Sequence, residues 1–591
     1  MRILFVLFFF IATNCFAQDD ILAKEYFING DFEKALFEYK KLYAKSPSNP
    51  NYITHIIETH QQLEQYNEAE TFLLKLLERF KYPGFFVELG YNYQLKNDVE
   101  NANLYYNKAI ASIDVNPSNV FTVARSFQNH SLLNEAVIAY EKAMQLKPDY
   151  NFNLQLAQLY GEQGDIEKMF IGYIDFVEIN PVSLPTIKRY INDFISENGT
   201  SENNILFRKI LLKKIQQEPN LLWNDILSWL FIQQKDFKKA FIQEKAIFNR
   251  QPESLSRIED LAGIALNDDD NETAKAIYTF IIDTAQDLDT LLNAHYNVLQ
   301  IEIKEGLKEN YSSINSKYLA LFKEFGTFSQ TLNLQISYGH FLAFFMNETD
   351  KAKAFLEDTL KLPLTELQKA EVKLELGDIL VLQEQFNQAL IYYTQIQRNL
   401  KNSTISQEAR YKVAKASYYK GDFKWAESQL KILKASTSQL IANDALDLKL
   451  LISDNKYEDS LQTALKLYAK ADLLAFQNRN DEAINVLNKI IEEHKTEPIV
   501  AQSLYKQAQL FESKQLFEKA QANYESIIAN YRDGILIDDA LFKQADIYEK
   551  HFNEPEKAKD LFEQIIFNHA DSIYFVEARK RYRALRGDAI N

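Results

Sequence analysis

The histidines and acidic residues of this sequence are the first places to look for metal or catalytic chemistry. The one close histidine pair is His55 and His60, with Glu58 between them. Zinc-binding helices place their two histidines at i and i+4. A spacing of five turns the two imidazoles about 140° apart around the helix axis. The pair therefore predicts no metal site.

An acidic run, Asn-Asp-Asp-Asp-Asn at residues 267–271, contains the residue types of a calcium loop. Calcium loops alternate their ligands and need a glycine at the sixth position, whereas this run is contiguous. We expect a solvated turn that caps the following helix. The sequence also lacks the phosphate loop G-x4-GK and the nucleophile elbow G-x-S-x-G. It therefore predicts a protein with no cofactor and no catalytic activity.

The strongest local charge feature is a basic run formed by Arg579, Lys580, Arg581, Arg583 and Arg586. One interpretation is binding to an acidic partner or to anionic lipid heads, which would give peripheral membrane association. The other is the solvated face of a capping helix, which terminal repeats need for solubility. The whole chain has a net charge of −16, which argues against a nucleic-acid-binding protein.

The N-terminus has the three parts of a secretory signal peptide, which are a basic start, an apolar run and small residues before the cut. The apolar run covers residues 3–12, and residues 15–17 precede a cut at Gln18. We expect removal of residues 1–17, export to the periplasm and a mature chain without cysteine. The alternative is a lipoprotein that is anchored at Cys15. No later stretch is long and apolar enough to predict a transmembrane helix.

Seven prolines recur along the first half of the chain at intervals of 36, 34, 31, 33, 38 and 33 residues. Proline cannot continue a helix interior, but it suits the junction between one helix and the next. The spacing predicts helical units of about 34 residues. These prolines are Pro47, Pro83, Pro117, Pro148, Pro181, Pro219 and Pro252.

A second pattern has the same period: a small residue, a large residue four positions later, and an apolar or small residue three further on. Such positions lie on one face of a helix. The small residue would let two helices of a hairpin approach closely. Thirteen units match, beginning at Ala35, Ala69, Ala102, Ala136, Met169, Ala240, Ala274, Ala352, Ala389, Ala426, Ala483, Ala520 and Ala558.

The helix before each of these carries a matching set, as in Leu89-Gly90-x2-Tyr93, and turns such as Gly164-Asp165 separate the two helices. Glycine suits a left-handed helix end, and aspartate caps the next helix. The arrangement resembles the tetratricopeptide repeat. The resemblance implies an all-α fold, a right-handed α-solenoid of about thirteen recognisable hairpins plus two or three degenerate ones.

The irregular intervals predict where the degenerate units lie. A further hairpin should have its turn at residues 198–200, and two more helices should lie around Ala294 and Leu319. An extra helix near Ala445 should offset the stacking. After the signal peptide (1–17), we therefore divide the chain into an N-terminal array (18–182), divergent hairpins (183–365), and a C-terminal array with longer repeats and a basic capping helix (366–591).

The close of the chain, residues 568–586, resembles the envelope subclass of these repeats. That subclass includes the outer-membrane barrel-assembly lipoprotein and the cell-division coordinator of the Tol system. The resemblance implies a non-enzymatic scaffold for envelope proteins, acting in outer-membrane or cell-wall assembly. The rival hypothesis is a helical enzyme that acts on peptidoglycan or another glycan.

The first helix of each hairpin lines the binding surface of such a solenoid. Tyr and Arg are common interface anchors. We expect the main partner to dock on the C-terminal repeats, with Tyr411, Tyr418 and Tyr505 as apolar anchors. The candidate binding residues are Tyr91, Arg125, Tyr411, Lys415, Tyr418, Tyr505, Gln509, Arg579, Arg581 and Arg583.

Overall fold

A computed structural model describes residues 20–433, 438–455 and 462–588 of the protein. Within these ranges the chain forms α-helices and short 3-10 turns, and no strand. The expected signal peptide and Cys15 lie outside the described residues. None of the described helices is both long enough and apolar enough to cross a bilayer.

The helices follow one another with short connections, and the first is described over residues 20–28 (α1). The first half continues with α2 (Phe32–Lys45), α3 (Pro50–Gln62), α4 (Tyr66–Arg79), α5 (Gly84–Leu95), α6 (Val99–Val115), α7 (Val120–Asn129), α8 (Leu133–Leu146), α9 (Asn153–Glu162), α10 (Ile166–Ile179), α11 (Leu184–Asn192), α12 (Glu202–Gln217), α13 (Leu221–Gln233), α14 (Phe237–Arg250), α15 (Ser256–Asn267) and α16 (Asn271–Thr284).

The second half contains α17 (Leu288–Glu305), α18 (Tyr311–Phe325), α19 (Leu332–Phe344), α20 (Thr349–Thr359), α21 (Glu366–Leu382), α22 (Phe386–Asn399), α23 (Thr404–Tyr419), α24 (Phe423–Leu433), α25 (Gln439–Asp454), α26 (Thr463–Phe476), α27 (Asn480–Glu493), α28 (Ile499–Ser513), α29 (Phe517–Asn530), α30 (Ile537–Lys550), α31 (Pro555–Asn568) and α32 (Phe575–Arg586).

The small-residue pattern marks the second helix of thirteen hairpins, as predicted. All thirteen leading residues are buried, and the most exposed of them is Ala102 at 3%. The large residue four positions on packs against the first helix of its own hairpin. A Cβ added at Gly90 would overlap the ring of Tyr106, and one added at Gly377 would overlap Tyr393. The absence of a side chain on the first helix therefore makes room for the aromatic ring on the second.

The turns inside the thirteen hairpins share one backbone conformation. One residue in each turn has a φ between +53° and +83°, in the left-handed region that favours glycine. Asp165 and Asp422 cap the next helix, as expected, by accepting hydrogen bonds from backbone N–H groups. Asp31 makes no such bond and instead pairs with Lys34. The left-handed residues are Gly30, Glu64, Asn97, Ser131, Gly164, Lys235, Asp269, Asn347, Glu384, Gly421, Asn478, Gln515 and Asn553.

The degenerate intervals contain the helices predicted for them. Residues 198–200 lie in the turn between α11 and α12, Ala294 and Leu319 lie on α17 and α18, and Ala445 is buried on α25. The acidic run at 267–271 joins α15 to α16, where Asp270 accepts a hydrogen bond from the Thr273 N–H at 3.0 Å. It is therefore a helix-capping turn, as the sequence indicates.

The chain forms two compact units: the first ends at Glu253 and the second begins at Ser254. In both units, successive first helices pack side by side, as α5 and α7 do in the first unit and α21 and α23 in the second. The extra helix α25 packs on α24, so α26 is the next first helix to contact α23. The division at 182/183 and 365/366, and the handedness of the solenoid, stay predictions.

Candidate partner-binding groove

The first helices of the second unit form a surface with two adjoining cavities. The first cavity, about 580 Å³, lies over α17, α19 and α21, and the second, about 590 Å³, lies over α21 and α23. Glu371 and Glu375 line both. We call the two cavities together the α21 groove. Their volumes are in the range that binds ligand groups in other proteins.

Most charged groups of the α21 groove are paired within the fold. The Glu375 carboxylate lies 2.9 Å from the His340 Nδ1. Asp378 accepts hydrogen bonds from the Lys412 ammonium at 2.6 Å and from the Tyr393 hydroxyl at 2.6 Å. Burial opposes the charge on Lys412, but the carboxylate of Asp378 outweighs it and raises the lysine pKa.

Beyond the lining of the α21 groove, hairpins that are not neighbours contact each other. The Phe344 ring at the end of α19 packs edge-on against Phe476 of α26, with centroids 5.5 Å apart. Beyond α26, the Gln477 side chain donates to the Leu382 carbonyl and the Asn478 side chain to the Phe344 carbonyl. Solenoid repeats ordinarily contact only their neighbours. These contacts tie the ends of α19 and α21 to the turn after α26.

A charge cluster lies farther along the same layer of helices. Asp472 on α26 accepts from Lys415 on α23 at 2.6 Å and pairs with Lys506 on α28 at 2.9 Å. Its side chain is 12% exposed. Burial alone would raise the pKa of Asp472, but the two ammonium groups outweigh it and lower the pKa to about 2. The cluster therefore joins three first helices across the position where α25 interrupts the stacking.

Of the two predicted binding residues of the first unit, Tyr91 is partly buried and Arg125 is exposed, so both have surface that a partner could contact. The Tyr91 ring stacks on His130 with centroids 3.8 Å apart, and His130 bonds to Glu88 at 2.8 Å. Arg125 on α7 is exposed. The structure leaves both on first helices, as expected, and their part in binding stays a prediction.

Tyr418, predicted as an apolar anchor in the second unit, is corrected by the structure. Its side chain is 0% exposed and belongs to the core, because it points into the layer between α23 and α24 where Phe423 packs. Lys415 lies on the surface layer, but its ammonium is engaged by Asp472. A partner could reach Tyr418 only by opening the fold.

The other predicted residues of α23 and α28 retain some exposure. Tyr411 is partly buried, and burial first and then Asp444 raise its pKa. The Tyr505 hydroxyl donates to Asp539 at 3.4 Å, and Gln509 is exposed. These three stay candidates for partner contact.

The basic run of α32 divides into two sets. Arg581 is 13% exposed and pairs with Asp546 and Glu549 of α30, so it holds the last helix in place and is not free for a partner. Arg583 lies 3.6 Å from Asp588 and Arg579 is exposed. The structure therefore assigns a packing role to Arg581 and leaves Arg579 and Arg583 as candidates.

The α21 groove was not found from the sequence. Glu371 and Glu375 are one of many i, i+4 carboxylate pairs in an acidic helical chain, and nothing in their spacing sets them apart. What distinguishes them is the packing of α17, α19 and α23 around α21. In the first unit, the Nδ1 of His55 lies 2.9 Å from a Glu58 carboxylate oxygen, and the Nδ1 of His60 lies 2.9 Å from the Gln65 side-chain oxygen.

Two stretches of the chain, residues 502–534 and 539–572, match the family model described as tetratricopeptide repeat. Comparison with curated proteins finds no similar sequence. Similar solved structures include Naa15/Naa10 bound to HypK-THB, 12% identical over 97% of both chains with a TM-score of 0.29. Another is the APC/C hetero-tetramer Cut9-Hcn1, 13% identical over 95% of both chains with a TM-score of 0.24. The matched stretches coincide with hairpins α28–α29 and α30–α31.

Proposed function

We propose that this protein is an exported, non-catalytic repeat scaffold that binds protein partners in the bacterial cell envelope. The observation that carries the proposal is the continuous layer of first helices in the second unit, with the α21 groove at one part and the candidates Tyr411 and Tyr505 at others. A layer of this kind offers one extended surface for a protein segment. The tetratricopeptide match of the last hairpins supports the same function.

Export rests on the N-terminal sequence, and intact-mass measurement of the protein from envelope fractions tests it. A mature chain beginning at Gln18 is expected. A diacylglycerol adduct on Cys15 would instead show a membrane-anchored lipoprotein, and a chain that keeps Met1 in the cytoplasm would contradict export.

Binding is tested by capture from envelope extract with the full chain, identification of the captured protein, and measurement of its affinity once purified. Tyr411→Ala and Tyr505→Ala should each weaken binding by about thirtyfold, since truncating an interface anchor commonly costs about 2 kcal/mol. Tyr82→Ala in the first unit is the matched control, because Tyr82 is 41% exposed and outside the proposed surface.

Loss of binding in the Tyr82 variant alone would move the partner surface to the first unit. Hydrolysis of purified peptidoglycan by the protein would contradict the non-catalytic part of the proposal. Proteins with glycan-hydrolysing activity release soluble fragments that mass spectrometry detects directly.

A further inference from the structure

Glu371 is the charged group of the α21 groove that the fold leaves without a partner. It lies on α21 between the two cavities and is partly buried. Within the part of the chain that the structure describes, it makes no ion pair or side-chain hydrogen bond. Its neighbours Glu375 and Asp378 are held by His340 and Lys412. An unpaired carboxylate therefore stands in the middle of the groove.

Apolar side chains lie on either side of Glu371 among polar ones. Tyr296 of α17, Ile336 of α19 and Phe345, directly after α19, line the first cavity together with polar side chains such as Gln300 and Asn333. The second cavity is lined by Leu367, which is 52% exposed, and by Leu374 and Ile405. A partly buried carboxylate without a partner is unfavourable, and a ligand that pairs with it and covers the neighbouring apolar side chains would remove that cost.

We propose that the α21 groove binds a partner segment in which a lysine or arginine side chain, directed at Glu371, is flanked by apolar side chains. The inference rests on the proposed scaffold function and specifies the chemistry of its partner. A cation with an apolar stem matches this groove, since lysine and arginine bury their methylene groups along apolar surface while the charged head meets a carboxylate.

An acidic or nucleic-acid ligand does not fit. Four carboxylates line the groove, while the Lys412 ammonium is committed to Asp378 and the Lys304 ammonium to Asp269. The carboxylates are those of Glu371, Glu375, Asp378 and Glu408. Burial raises the pKa of Glu371, and no nearby cation opposes that effect. A bound cation would favour the ionised carboxylate, so binding should weaken as the pH falls through the pKa of Glu371.

The experiment uses two fluorescent peptides and the full-length protein. The first peptide is a dodecamer of leucine and lysine with apolar residues flanking each lysine, and the second has glutamine in place of every lysine. Fluorescence anisotropy measures the affinity of each peptide for the unchanged protein, for Glu371→Gln, and for Glu492→Gln. Glu492 is an exposed glutamate of α27 and controls for the general attraction of a basic peptide to a chain of net charge −16.

The lysine peptide should bind at least about tenfold more tightly than the glutamine peptide, the ratio expected for one charge-assisted hydrogen bond. Glu371→Gln should remove most of that difference and leave the glutamine peptide unaffected, whereas Glu492→Gln should change neither peptide. Since Glu371 has no partner in the fold, its replacement removes an unpaired charge, and circular dichroism should show an intact protein.

Three results would overturn the inference: failure of the lysine peptide to bind, equal binding of both peptides, or an equal effect of the Glu371 and Glu492 variants. Failure of the scaffold function is seen separately. If an envelope partner is captured equally by the unchanged protein and by Glu371→Gln, the groove assignment fails and the scaffold stands. If no partner is captured, the scaffold proposal fails, and the peptide result still decides the chemistry of the groove.

Discussion

The two units differ in how many helices a single ion-paired group can join. In the first unit, Glu70 of α4 pairs with Lys96, directly after α5, at 2.9 Å, with side chains that are 24% and 26% exposed, and this pair joins two helices. In the second unit, Asp472 is 12% exposed and holds two lysines from different helices. This cluster lies where α25 breaks the regular succession of hairpins.

This difference suggests a reason for the cluster. Apolar contacts are non-directional and would allow α26 to slide along α23 once α25 has displaced the regular neighbour. A buried carboxylate that must meet two ammonium groups allows few arrangements, because a misplaced charge would be left unpaired. The contacts of Phe344 with Phe476 and of Asn478 with the Phe344 carbonyl act in the same direction. The second unit therefore gains a fixed arrangement around the α21 groove.

The largest effect should come from removing the central charge of this cluster. Asp472→Asn would leave Lys415 and Lys506 facing each other without a carboxylate, and we expect about 3 kcal/mol of lost stability. Urea denaturation of the full chain measures the loss, and hydrogen exchange of peptides from α23, α26 and α28 locates it in the second unit.

Asp114→Asn in the first unit is the matched control and should cost at most about 0.5 kcal/mol, since its carboxylate is 52% exposed and pairs with one lysine. Equal losses for the two variants would contradict the larger stabilisation that we assign to the Asp472 carboxylate.

Acid should reduce the difference in stability between the unchanged protein and Asp472→Asn. The folded-state pKa of Asp472 is about 2, below its unfolded value. Its stabilisation, about 2.5 kcal/mol in total, is therefore nearly complete above about pH 5 and is lost progressively as the pH falls through 2. Urea denaturation at pH 6 and at pH 2.5 should show the stability gap between the two proteins narrowing to less than about half at the lower pH. A gap of the same size at both pH values would show that the asparagine acts by packing and not by charge.

The fold could be predicted from the sequence to a large extent, because its determinants are local and repeat. The small residue at Ala136 or Ala520 and the proline junctions mark helix faces and ends without any knowledge of distant contacts. The degenerate helices around Ala294 and Ala445 could be predicted because the intervals between the matched units on either side are too long for one unit. The α21 groove, the Asp472 cluster and the burial of Tyr418 depend on which helices meet across the insertion of α25. Spacing within one helix carries no information about that.

Overpacking the hairpin core should lower the stability of the protein equally in both units, because the packing within a hairpin is the same in both. Ala136 on α8 and Ala520 on α29 are both 0% exposed at the same position of the repeat. Replacing either with leucine should destabilise the protein by about 1–3 kcal/mol, because the added methylenes have no room. Thermal denaturation followed by circular dichroism measures the loss. Ala584→Leu on the exposed face of α32 is the control and should leave the melting temperature nearly unchanged.

The smallest change in stability should come from substitutions at the left-handed turn residues, which occur in both units. Glu64 and Gln515 have φ of 57° and 58°, where a side chain is strained and glycine is not. Glu64→Gly and Gln515→Gly should each stabilise the protein by about 0.5–1 kcal/mol, the relief of strain exceeding the added entropy of the unfolded chain. The reverse changes, Gly30→Ala and Gly421→Ala, should destabilise by a similar amount. Differential scanning calorimetry of the four variants measures these changes in stability. The left-handed turn residue is common to all thirteen hairpins, so the two glycine variants should have the same effect. Stabilisation by Glu64→Gly without stabilisation by Gln515→Gly would show that the second unit restrains its turns differently from the first. The contacts between distant hairpins in the second unit would then be the reason.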